Sequence, residues 1–303
     1  MANDQELDHM GLPEASVSRE LLPALADAPG HLLWRAAARV TVELGATLPP
    51  GVDIHAYAAL LSLAGGTTRS QQAIAERIDV SRTTMVKVAA ALTEQGLVER
   101  VRNPDDRRSY ALTRTPHGAA AARRWRRHAE DLEDALTAGF SEAEREELRR
   151  LLLGVIEGEL SPETPEPLLE SLGFLITRAH ARMHRAFAGA LEPLRIEPRH
   201  FGVLTTVTAL GPVAQAELGR QLGVSGASVV QMIDDLEARG LVERRRLETD
   251  RRTQVLHLLP EAGDVLAEAA RIADETVAGR LGALDAEQAR RLVLLLQRFV
   301  TAP

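Results

Sequence analysis

The chain has 303 residues, 45% of them hydrophobic, a net charge of −7 and no cysteine. That length suits two domains of ordinary size, the missing thiol excludes disulfides, thiolate metal sites and thiol redox switching, and no apolar run approaches the roughly 18 residues of a membrane span. The acidic balance argues against a surface coated in basic charge, but it leaves room for a local cationic footprint.

Residues 1–30 read as a flexible arm, and MANDQELDHMGLPEAS at their start lacks a basic flank followed by an apolar core. A cytoplasmic protein without a membrane partner is therefore expected. Residues 31–47 have apolar positions at helical spacing and stop near the Pro-Pro-Gly of 49–51. A second helix over 55–64 ends at Gly65-Gly66, and a short third, 70–78, carries Ile74 and Ile78 on one face. The segment IDVS turns the chain, and Ser81 is placed to cap a helix over 82–95. Two strand-like runs, 97–102 and 108–113, enclose Pro, Asn and Asp, as a hairpin tip requires. Helices over 116–137 and 142–158 follow.

The same order then repeats. GLVERVRNPDDRRSYALT, from Gly96, returns as GLVERRRLETDRRTQVLHL, from Gly240. An offset of 144 carries Leu97 onto Leu241 and Asp106, Arg107 and Arg108 onto Asp250, Arg251 and Arg252. It also carries Tyr57 onto Phe201, Ser81 onto Ser225 and Ser141, heading SEAE, onto Asp285, heading DAEQ. The last two are helix N-cap signals with Glu or Gln three residues on. The period far exceeds that of a solenoid, so the chain is a duplicated domain. A first repeat over 31–160 and a second over 168–303 are joined by the proline-rich linker 161–167. In the second copy the turn reads LGVS, and Gly223 suits a positive-φ position better than Asp79 does.

Helix, tight turn, helix and hairpin spell a winged helix-turn-helix. The expected fold is mainly α with small β-hairpin wings. A helix fits the major groove and presents its N-terminal side chains to base edges. A hairpin beside it places an arginine tip in the minor groove, where the potential is most negative. The first copy offers Ser81, Arg82, Thr83, Thr84 and Lys87 on the helix and Arg107 and Arg108 on the wing, with Asp106 orienting an arginine. The second offers Ser225, Ser228 and Gln231, with Arg251 and Arg252 oriented by Asp250. Such short polar and cationic groups suit phosphates and base edges.

Two segments carry a resemblance to the MarR family of bacterial transcription regulators. They are QQAIAERIDVSRTTMVKVAAALTEQGLVERVRNPDDRRSYALTRTPHG and AELGRQLGVSGASVVQMIDDLEARGLVERRRLETDRRTQVLHLLPEAG. The resemblance implies a dimer of winged-helix protomers with interlocked terminal helices. It also implies a small-molecule pocket between that interface and the DNA-binding lobe. Here both protomers are fused, so the resemblance implies a monomer with pseudo-twofold symmetry, two winged domains joined through a helical pseudo-dimer interface. Further dimerisation is left open. The implied partners are double-stranded DNA and a small-molecule effector, aromatic or amphipathic, and the implied activity is that of a ligand-released repressor.

The halves are not equivalent. Residues 81–95 carry Arg82, Lys87 and Glu94, formally +1, whereas 225–239 carry Asp234, Asp235, Glu237 and Arg239, formally −2. An imperfect palindrome gripped more tightly by the first half is expected. Trp34, Tyr57, Trp125, Met183, Phe187 and Phe201 fall on helices bordering the pocket that the resemblance implies. His55, His180, His184 and His200 join them as candidates, with His180 and His184 four apart on one helix face. No phosphate loop, dinucleotide fingerprint or metal-protease helix occurs, so neither catalytic residues nor a cofactor or metal is expected. The alternative is a MarR-derived small-molecule-binding protein or enzyme that has lost DNA binding.

Overall fold

The computed structural model describes residues 20–48, 52–103, 108–222, 224–246 and 254–302. In the first copy, helices α1 (Pro29–Thr47) and α2 (Ile54–Ser62) precede a two-residue strand, β1 (Thr68–Arg69). Then come α3 (Gln71–Ile78), α4 (Arg82–Glu94), β2 (Val98–Arg102) and β3 (Tyr110–Arg114). Long helices α5 (Pro116–Leu136) and α6 (Glu142–Val155) complete the copy. After a short helix, α7 (Glu166–Leu169), the order recurs: α8 (Leu172–Leu191), α9 (Pro198–Leu210), β4 (Val213–Ala214), α10 (Gln215–Leu222) and α11 (Gly226–Ala238). Strands β5 (Val242–Arg246) and β6 (Gln254–Leu258) and helices α12 (Glu261–Arg280) and α13 (Ala286–Thr301) follow.

Each copy holds a three-stranded antiparallel sheet, ordered β1-β3-β2 and β4-β6-β5. Val98 pairs with Arg114 in the first and Val242 with Leu258 in the second, the same register 144 residues on. Gly96 and Gly240 end the preceding helices with φ of 65° and 68°. Leu97 N–H donates to Leu92 O at 2.9 Å and Leu241 N–H to Leu236 O at 3.0 Å. This is a helix stop built on a left-handed glycine, and it aims the chain into the wing. The small strands β1 and β4 were not expected; two residues are too few to leave an alternation signal.

The compact units do not follow the repeat boundary. One runs from Glu43 to Leu175; the other joins the chain from Ile176 onward to the leading residues as far as Val42. Each lobe is therefore closed by the leading segment of the other copy. In the first unit Glu133 accepts from Leu172 N–H at 2.7 Å and from Ser171 Oγ at 3.1 Å, capping the start of α8. Leu168 is buried in that unit's core and Phe174 packs against it. In the second unit Gln297 Nε2 donates to Ala26 O at 3.0 Å and to Asp27 Oδ1 at 2.8 Å. Arg39 donates to Phe299 O, and its guanidinium lies 5.2 Å from the Phe299 ring centre.

Residues 20–30, the end of the expected flexible arm, are part of this architecture. Leu22 and Leu25 are buried, a single helical turn spans Pro23–Leu25, and Pro29 opens α1. Proline at a first helical position is pre-organised for the helix, which is how this segment starts twice without polar caps.

Candidate functional site

The helix expected to read DNA in the first copy is α4. Asp79 ends α3 in the left-handed conformation, φ 49°, so the turn is made without glycine. Ser81 then caps α4, accepting from Thr84 N–H at 3.0 Å, with the two side-chain oxygens 2.9 Å apart. Ser81, Arg82, Thr83 and Lys87 are exposed and Thr84 is half-buried. Arg82 donates to Gln72 Oε1 at 3.2 Å, which steadies the guanidinium at the helix mouth. On the wing, the guanidinium carbons of Arg100 and Arg102 sit 5.0 and 4.9 Å from the Tyr110 ring centre. Cation–π contact of this kind holds two positive charges on one exposed face. Arg108 is exposed, whereas Arg107 and Asp106 lie outside the described residues.

The helix expected to read DNA in the second copy, α11, uses its charges differently. Ser225 repeats the cap, accepting from Ser228 N–H at 3.2 Å. Asp234, however, accepts from Arg244 of the wing at 2.6 Å, and Glu237 binds the same guanidinium. Arg244 is the counterpart of Arg100, so the second wing spends internally a cation that the first wing presents. Asp235 lies 3.8 Å from Arg199 and 3.6 Å from the buried His200. Asp250, Arg251 and Arg252 lie outside the described residues.

Two exposed apolar residues of these helices were not singled out in the sequence. Val86 and Val230 occupy the same position of their helices, 144 residues apart, and are 53% and 43% exposed. An exposed valine on a groove helix suits contact with a thymine methyl. The signal was available: both break the apolar period of a helix whose other face is fully committed to the core.

A cavity of about 760 Å³ opens in the second unit. Its apolar wall includes Trp34, Met183, Phe187, Phe201, Met232 and Leu266. Phe187 and Phe201 meet edge to face with centres 5.4 Å apart. His31 and Trp34 lie 5.6 Å apart, as do His180 and His184. Burial, with the Arg35 charge adding to it, pushes His31 down to about 3. Burial, then the neighbouring His184 and Arg178, does the same for His180, again to about 3. Both are neutral imidazoles at physiological pH. His31 Nε2, His180 Nδ1 and Thr205 Oγ1 are buried atoms without a hydrogen-bond partner, and all three residues line the cavity. Unpartnered polar atoms on an apolar wall are what a small molecule with a few hydrogen-bonding groups requires.

The same cavity reaches α11. Leu222, Val224, Ser228, Gln231 and Met232 of the second helix-turn-helix are among its walls. Ser228 and Gln231, expected to face DNA, thus also border the cavity.

Four expected pocket residues lie elsewhere. Tyr57 and Trp125 are buried in the core of the first lobe, where large rings fill space between α2 and α5. His55 stands 3.4 Å from Asp53, the cap of α2. His200 is fully buried at the start of α9; its Nδ1 accepts from Glu197 N–H at 3.1 Å and its other nitrogen faces Asp235. Its side chain is therefore committed to the helix start. Among the described residues no helix is long and apolar enough to cross a membrane, and no cluster of three or more His, Asp or Glu is arranged to hold a metal.

Two helix-turn-helix units, each followed by a wing in the same register, define a winged-helix protein of the transcription-regulator class. A model described as the MarR family matches residues 51–109 and, separately, residues 196–253. The chain belongs to the MarR family and carries its unit twice. Solved structures similar to one half of it include the transcriptional repressor CouR bound to a 23-mer DNA duplex, at 32% identity. That match covers 43% of this chain and 91% of the other, with a TM-score of 0.40. A mutant MarR from E. coli complexed with operator DNA is 24% identical over 44% of this chain and 94% of its own, TM-score 0.41. CouR from Rhodococcus jostii RHA1 bound to p-coumaroyl-CoA is 23% identical over 46% and 97%, TM-score 0.42.

Proposed function

We propose that this chain is a DNA-binding transcriptional repressor, released by a small molecule, that acts as a single-chain pseudo-dimer on an imperfect palindrome. The observation that carries the reading is the doubled reading helix and wing, with the exposed Arg82, Thr83 and Lys87 on the first helix. Two half-sites about one helical turn apart are the natural target of two such lobes. The effector site is the cavity of the second unit, because its wall is shared with α11. A ligand that fits the cavity only in one setting of that helix shifts the population toward it. DNA binding then weakens in proportion to the ligand's differential affinity for the two settings.

The pairing of Asp234 and Glu237 with Arg244 supports the imperfect palindrome. The first half supplies most of the phosphate contacts and the second half fewer. Footprinting tests the reading. A protein that light scattering shows to be a lone chain should protect two half-sites of unequal strength, and candidate metabolites should lift the protection. Protection of a single half-site, or none, contradicts it.

A further inference from the structure

The shared frame gives every wall residue of the cavity a counterpart 144 positions away; at several of these positions the first half carries the larger side chain, whereas Met232, Leu266 and His184 correspond to the smaller Val88, Ala122 and Val40. Gly30 corresponds to Phe174, Ala24 to Leu168, Thr205 to Leu61 and Thr276 to Leu132. The first member of each pair lines the cavity. Behind the wall, the fully buried Ala269 corresponds to Trp125. In the first lobe Leu168 and Trp125 are buried in the core, Leu61 and Phe174 pack against it, and Leu132 is buried. The polar atoms change in parallel: His31 becomes Leu175 and His180 becomes Ala36. A Cβ placed on Gly30 meets Met183 Cγ at 3.7 Å, an ordinary contact, so a side chain there has room and points at a cavity wall.

We infer that the chain has one effector site rather than the two its duplication would suggest: the second half is the sensor, and the first half has closed the same place with its own side chains. The inference rests on the cavity being the effector site. The occupant is a mostly apolar molecule with a hydrogen-bond donor or acceptor for the unpartnered atoms of His31, His180 and Thr205. Arg199 on the wall is already paired with Glu197.

The test uses the full chain and N-phenyl-1-naphthylamine, an uncharged aromatic amine whose N–H is such a donor. Calorimetric titration should give one probe per chain. Gly30→Phe and Thr205→Leu, which install the first half's residues, should each weaken binding at least tenfold without lowering the thermal midpoint. The chain has two tryptophans, and each reports on one half. A Trp125→Phe protein, with Trp34 on the cavity wall, should change its emission on binding. A Trp34→Phe protein, with Trp125 in the first core, should stay silent at saturating probe. Two probes per chain, or a response from Trp125, overturns the single site while leaving the cavity reading intact. No binding at all overturns both.

Discussion

Acidification should weaken the second unit through its neutral histidines, and the size of the effect follows from their burial. His180 titrates at about 3 in the folded chain, against roughly 6.5 for an exposed histidine. Below that higher value the unfolded chain takes up a proton that the folded chain refuses. Stability is therefore fully present above about pH 6.5, is lost as pH falls through that value, and levels off only near the folded value. One pH unit below it, the loss is about 1.4 kcal/mol for His180, and His31 adds a similar amount. The assay is urea unfolding of the Trp125→Phe protein, in which Trp34 emission reports the unit that holds both histidines. Between about pH 7.5 and pH 5.5 the wild-type background should lose roughly 3 kcal/mol, and His180→Leu about half of that. Equal losses in the two proteins would refute the placement of His180 as a buried neutral base.

The DNA interface yields further expectations. Arg82→Ala and Lys87→Ala should each lower affinity for any duplex and reduce the salt slope by about one, as read by anisotropy. Asp234→Ala combined with Glu237→Ala frees Arg244 and should act oppositely, tightening binding and steepening that slope by about one. Asp79 holds a left-handed turn, so Asp79→Gly should leave the unfolding midpoint of the first unit close to unchanged, whereas Asp79→Ala should cost about 1 kcal/mol.

Most helices were legible because their apolar spacing, caps and glycine stops agree. Ser81, Ser141 and Asp285 cap the helices they were expected to cap. The 144-residue offset made the second copy readable from the first. The segment exchange was not legible. Leu22 and Leu25 look like any apolar pair after a polar start, and nothing local says which lobe they cover. The division of the pocket candidates was equally hidden. Aromatic content picks out Tyr57 and Trp125 as readily as Trp34 and Phe201, and only the partners decide. Ala24, Gly30 and Thr205 line the cavity in one half, whereas Leu168, Phe174 and Leu61 lie in or against the core in the other.

The most direct measurement is DNA affinity of the full chain across about 50–200 mM salt, using duplexes from its own gene neighbourhood. Binding that falls steeply with salt, and is lost when Arg82 and Lys87 are both replaced by alanine, is the predicted result. Affinity that is absent throughout, or indifferent to both salt and those substitutions, would contradict the claim that the winged lobes hold DNA.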